Sequence, residues 1–167
     1  MRAAVSNPSV PSRGPLARLL GLCHWLNARL DALQPLAALL ARAYVAEAFF
    51  RSGLTKLRDW DITLALFQDE YHVPLLPPDV AAVMGTGGEL VLPVLLLLGL
   101  GGRFGVLGLS VMNVVAVLSL AEIAPAALQQ HVTWGVLLAA LALFGNGGWS
   151  LDRWLQRLWP ALAPDRG

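Results

Sequence analysis

Four stretches of this chain are apolar for long enough to cross a bilayer, and that limits the fold more than any other feature. A spanning helix needs ~20 mainly apolar residues for a hydrocarbon core ~30 Å thick. Segments 34–56, 80–100, 104–121 and 131–147 meet that need. Inside a bilayer no water satisfies the backbone, so each segment must pair its own N–H and C=O groups. The expected fold class is therefore all-α, a four-helix transmembrane bundle. Composition points the same way: 56% of the 167 residues are hydrophobic and 14% charged, well below the quarter usual in soluble domains. A formal net charge of +1, with no aromatic-basic cluster, excludes nucleic acid as an expected partner. The lipid bilayer is the partner the composition names.

Punctuation refines the boundaries. Pro35 suits a first-turn position, where its missing N–H has no helical partner to lose. The pairs Gly101-Gly102 and Gly147-Gly148 are natural stops after the second and fourth spans. Ahead of the first span, "PLARLLGLCHWLNARLDAL" places Leu16, Leu19, Leu20, Cys23, Leu26 and Leu30 at helical spacing, with Arg18 and Arg29 among the polar positions. This predicts an amphipathic interfacial helix over 16–32. The Pro- and Ser-rich residues 1–15 have no adjoining apolar region with a cleavage site, which predicts a mobile tail and not a signal peptide. The domain plan is thus a tail (1–15), the interfacial helix (16–32), the four-span domain (33–152) and a C-terminal tail (153–167).

Basic residues orient this plan. With the N-terminus cytoplasmic, Arg2, Arg13, Arg18, Arg29, Arg103, Arg153, Arg157 and Arg166 fall inside, and only Lys56 and Arg58 outside. Both termini are then cytoplasmic, and a bacterial inner membrane is the simplest home. The outer loop 57–79 carries Asp59, Asp61, Asp69, Glu70 and Asp79. Within it, "ITLALFQDEY" predicts a short amphipathic helix, and the prolines of "HVPLLPP" turn the chain back. Six tryptophans, Trp25, Trp60, Trp134, Trp149, Trp154 and Trp159, fall near predicted interfaces and fit aromatic belts.

Ionisable residues within spans are costly, about 2.5–3.5 kcal/mol each on insertion scales, so they need partners. Glu47 and Arg51 lie ~40° apart on a helix, in the favourable order for an i,i+4 pair. Tyr44 shares their side. Arg42 lies ~140° away from Glu47, and its expected partner is Glu89, the lone charge of the second span, with snorkelling to the interface as the fallback. Lys56 reads as an anchor at the outer end. Gly85, Gly87 and Gly88 permit close helix approach around Glu89, and Pro93 marks a kink. Gly105, Gly108, Gly135, Ala139 and Ala142 are small contact positions, and Asn113 supplies a mid-depth hydrogen-bonding group. The polar set Arg42, Tyr44, Glu47, Arg51, Glu89 and Asn113 has two readings: a network that holds the helices in register, or the lining of a ligand site or proton path.

The three histidines have no ligand spacing, so no metal site is expected. His72 and His131 are both predicted on the outer face, where they form a polar pair of candidates. Two histidines at matched depth on facing spans are lacking, which argues against haem. Cys23 is the single cysteine, which argues against a disulfide or a thiol-exchange mechanism. "GTGGE" lacks the Lys and the strand of a phosphate loop.

Three pieces together resemble the DoxX family of small bacterial membrane proteins. They are "ARAYVAEAFFRSGLTKL", "TLALFQDEYHVPLLPPDVAAVMGTGGELVLPVLLLLGLGGRFGVLGL" and "FGNGGWSLD", covering residues 38–152. The resemblance implies a four-helix membrane bundle. It also implies an accessory role in a membrane-associated redox or maturation system, with quinone as the cofactor in view and a membrane or periplasmic protein as partner. The family's motif positions, carried onto this chain, are Arg42, Phe50, Gly53, Lys56, Glu89, Gly99, Arg103, Gly147 and Asp152. The rival expectation is a ligand-binding or transporting bundle built around the charged mid-membrane residues.

Overall fold

The computed structural model describes residues 14–159, apart from Gly102 and Asn146. The predicted N-terminal tail up to residue 13, the end of the C-terminal tail, and Gly102 of the predicted second stop lie outside the described residues. Six helices account for the regular structure described: α1 (Pro15–Arg58), α2 (Trp60–Asp69), α3 (Pro78–Leu98), α4 (Phe104–Ser119), α5 (Pro125–Phe144) and α6 (Leu151–Leu158). No strand occurs among the described residues; the one β-type contact is an isolated bridge between Tyr71 and Leu120.

The first-turn placement of Pro35 is corrected by the structure. α1 runs 44 residues without a break, with Pro35 inside it. A mid-helix proline costs about 3 kcal/mol, but the residues around it, from Arg29 to Ala48, are dominated by Ala, Leu, Arg, Glu and Gln, the strongest helix formers. That run carries the helix through the defect. The chain nevertheless divides into two units, Met1–Leu33 and Gln34–Gly167. In the first, Leu16, Leu19, Leu20, Leu26 and Leu30 are all exposed, and the Arg29 guanidinium lies 5.2 Å from the centre of the Trp25 ring.

In the second unit the ends of each helix follow local chemistry. Asp59 caps α2 by accepting a hydrogen bond from the Ile62 N–H. Pro78 and Pro125 occupy the first turns of α3 and α5, where a proline loses no bond. α5 thus begins six residues earlier than the hydropathy pattern placed it, which moves His131 from the first residue of the span to its second turn. Residues 151–158, assigned mainly to a tail, form a two-turn helix capped by Ser150.

The core of this unit is a single layer between helices. Val45, Ala46 and Phe49 of α1 pack with Leu96 of α3, Val106 and Leu109 of α4, and Leu138 and Leu141 of α5. Close approach of α3 and α4 depends on Gly105: a Cβ there would lie 3.1 Å from the Leu96 backbone nitrogen. A second cluster, Phe67, Ala81 and Ala82, ties α2 to the start of α3.

The opposite faces are also apolar. Val83, Val91 and Val94 of α3, Leu107, Val111, Val114 and Leu118 of α4, and Val132, Val136 and Leu143 of α5 are all exposed. A water-facing helix carries a polar outer stripe; helices apolar all round belong in a core or a membrane. By length and hydropathy, α3 and α5 are apolar enough to cross a membrane, and α4 is a shorter apolar helix of the same kind.

Candidate functional site

Helix α2 and the segment after it close one end of the bundle over a cavity of about 420 Å³. Phe67 and Tyr71 form its roof, with their rings in edge-to-face contact at 5.1 Å. The roof is fastened to the far side of the bundle: the His72 N–H donates to the Ser119 carbonyl at 2.8 Å, beside the Tyr71–Leu120 bridge. Beneath it, Phe49 and Ser52 of α1, Met84 and Gly85 of α3, Met112 and Ala116 of α4, and Trp134 of α5 line the walls. A mainly apolar cavity with a few placed polar groups is the usual form of a small-molecule site.

The first polar group is an ion pair. Lys56 Nζ lies 2.6 Å from Glu89 Oε2, and the two side chains are only 17% and 13% exposed. Lys56 also donates to Ser52 Oγ, one turn back on its own helix. Gly53 makes the pair possible, because a Cβ there would stand 3.0 Å from Leu90 Cγ and 3.1 Å from Glu89 Cβ. Two expectations are corrected here. Lys56 is not a free outer anchor, and Glu89 pairs with Lys56 and not with Arg42. The register of α3 against α1, fixed by Gly53, brings Glu89 level with the end of α1 and away from its middle.

The second polar group joins α4 and α5. Asn113 Nδ2 donates to the His131 carbonyl at 3.0 Å, and Asn113 Oδ1 lies 2.8 Å from His131 Nδ1. A Cβ at Gly135 would sit 3.4 Å from Asn113 Nδ2, an ordinary contact. The His131 ring meets Trp134 edge-on at 5.1 Å, and Trp134 tilts against Phe49 at 5.4 Å. Trp134 is therefore a wall of the cavity. Tyr71 completes the polar lining. Burial, then the charges of Glu70 and Glu89, push its phenol above the ordinary value, so it stays neutral.

Arg42 lies elsewhere. It is fully buried and donates to the carbonyls of Leu97 and Trp149, joining the end of α3 to the segment before α6. Carbonyls at a helix C-terminus carry partial negative charge, which suits a guanidinium. Gly99, with φ +64°, keeps the space clear; a Cβ there would sit 2.5 Å from Arg42 Nη1. Asp152 Oδ1 accepts from the Gly101 N–H, and the Asp152 N–H donates to the Gly99 carbonyl. Arg103 donates to the Leu143 carbonyl, and a Cβ at Gly147 would stand 2.9 Å from Ala38.

The remaining sequence candidates do not join either cluster. Glu47 and Arg51 pair at 2.8 Å, but their side chains are 58% and 77% exposed, on the outside of the bundle. Tyr44 is exposed beside them. His72 is exposed and its Nδ1 lies 3.1 Å from the Glu70 carbonyl of its own loop, and among the described residues no hydrogen bond or ring contact joins it to His131. Helical spacing revealed which residues share a side of α1, but the side that faces inward depends on the glycines and on neighbours far along the chain.

The family model described as DoxX matches residues 37–122. An uncharacterized protein of Haemophilus influenzae is 30% identical over 131 residues, which covers 73% of this chain and 85% of that protein. No solved structure matches. The matched segment contains Arg42, Gly53, Lys56, Glu89, Gly99 and Asn113; His131 and Asp152 lie beyond it.

Proposed function

The chain belongs to the DoxX family of membrane proteins, and from that premise we propose that it is a multi-pass inner-membrane protein whose bundle holds a small, mainly apolar ring compound beneath α2. α1 from Gln34 onward, α3, α4 and α5 are its four spans, and both termini are cytoplasmic. Its role is that of an accessory component in a quinone-linked redox or maturation system, working with a membrane or periplasmic partner. The cavity supports this reading most directly: it has apolar walls, one inward ion pair, and about 420 Å³ of space, within the range typical of small-ligand sites.

The residues present fit a quinone head group. Phe49, Phe67 and Trp134 offer ring faces, Lys56 retains an N–H for a carbonyl oxygen, and Tyr71 offers its hydroxyl. A bound quinone would supply reversible two-electron chemistry. The chain's own contribution is to hold the ring in a mainly apolar pocket, with the Lys56–Glu89 pair at its edge.

The test is a titration of the purified protein in lipid nanodiscs with a short-chain quinone, followed by quenching of tryptophan fluorescence. Saturable quenching that disappears in Trp134→Phe and in the cavity-filling Ala116→Phe supports the reading. Quenching that is linear in quinone and unchanged by both substitutions refutes it.

A further inference from the structure

The Asn113–His131 pair fixes more than the packing of two helices. Asn113 Nδ2 donates to the His131 carbonyl, and turning the amide over would place its oxygen against that carbonyl oxygen. The amide orientation is thus determined, and Oδ1 faces the ring. An amide oxygen only accepts, so His131 Nδ1, 2.8 Å away, must carry the proton. The neutral ring has one proton, and Nε2 is left as a bare acceptor. Nε2 makes no hydrogen bond among the described residues, and the ring lines the cavity.

The rest of the lining adds a second acceptor. Lys56 uses one N–H on Ser52 and one on Glu89 Oε2, which leaves Glu89 Oε1 without a hydrogen bond among the described residues. A ligand that only accepts hydrogen bonds leaves both acceptors unsatisfied in an apolar pocket, which is costly. A ligand hydroxyl satisfies them, while its oxygen accepts from the third Lys56 N–H or from Trp134 Nε1, which is buried without a partner among the described residues.

We infer that the cavity selects hydroxyl-bearing rings, phenols or hydroquinols, over their ether counterparts, with His131 Nε2 as the acceptor that decides. Asn113 is the positioning residue, acting only through the tautomer it imposes. The inference rests on the cavity reading above and adds the polarity of the ligand to it.

Equilibrium binding of trimethylhydroquinone and of its dimethyl ether to the full chain in nanodiscs tests this, together with nitrogen NMR of labelled histidine rings. The hydroquinone is expected to bind roughly tenfold more tightly than the ether, the worth of one good hydrogen bond. That preference should fall to near unity in His131→Phe. The NMR spectrum of the unsubstituted protein should show His131 with a protonated Nδ1 and a bare Nε2, a reading that needs no variant to fold. Equal affinities, a preference that survives His131→Phe, or a protonated Nε2 in the neutral ring would each overturn the inference while leaving the cavity reading intact. Binding of neither compound removes the cavity reading and this inference with it.

Discussion

Single residues divide into those that hold the bundle together and those that face its cavity. Arg42 belongs to the first group: its guanidinium is buried against two backbone carbonyls, and charge-assisted hydrogen bonds of this kind contribute about 1.5–3 kcal/mol each. Arg42→Met should therefore lower stability by about 3 kcal/mol, read as a fall in the thermal midpoint of the detergent-solubilised protein, with an unchanged midpoint as the contrary result. Glu89 belongs to the second. Glu89→Leu strands the Lys56 charge and should cost about 3–5 kcal/mol, whereas Lys56→Met combined with Glu89→Leu should restore most of that loss. If the double variant is as unstable as the single one, the pair is not the unit described. Glu47 and Arg51 form an exposed pair on α1. In a membrane each needs the other, so Glu47→Leu alone should reduce the amount of inserted protein, and Glu47→Leu with Arg51→Leu should recover it. The intrahelical pair was legible because i,i+4 neighbours need only the helix. The partners of Arg42 and Glu89 were not, because both are set by contacts between distant segments, and backbone carbonyls leave no mark in a sequence.

Among the elements, hydropathy located α3, α4 and α5 well, since each is a nearly unbroken apolar run ended by Gly, Arg or Pro. It misplaced the start of α5, because "PAALQQHV" is too polar to read as a span while being a sound helix start. It also divided α1 at Pro35, where strong helix formers on both sides outweigh the local defect. What the pattern could not supply is how closely the helices approach, which falls to a few glycines. Gly105 lets α4 meet the backbone of α3, and Gly53 lets α1 meet α3 beside Lys56 and Glu89. Gly105→Val should separate α3 from α4 and lower the thermal midpoint with little regard to ligand. Gly53→Val should also abolish ligand binding, because it moves the ion pair at the cavity's edge. Loss of binding in both variants to the same degree, measured at equal folded fraction, would contradict that division of labour.

At the scale of the whole molecule, the polar side chains within the bundle gather at its two ends. Arg42, Gly99 and Asp152 tie down the end near α6, and Lys56, Glu89, Tyr71 and His131 surround a cavity at the end covered by α2. The family was legible from three sequence phrases, and the all-helical class from hydropathy alone. The cavity was not, since it exists only where the roof of α2 meets four other helices. An apolar exterior around a bundle with a roofed, mainly apolar pocket that carries a few donors and acceptors is the form expected of a membrane protein that holds a lipid-soluble ring. Native mass spectrometry of the chain extracted with its surrounding membrane tests that account most directly, comparing the unsubstituted protein with Ala116→Trp, in which the indole fills the cavity. The account requires a small quinone-class molecule bound to the first and absent from the second, at equal yield of folded protein. Identical spectra, with only phospholipid retained by both, would contradict it.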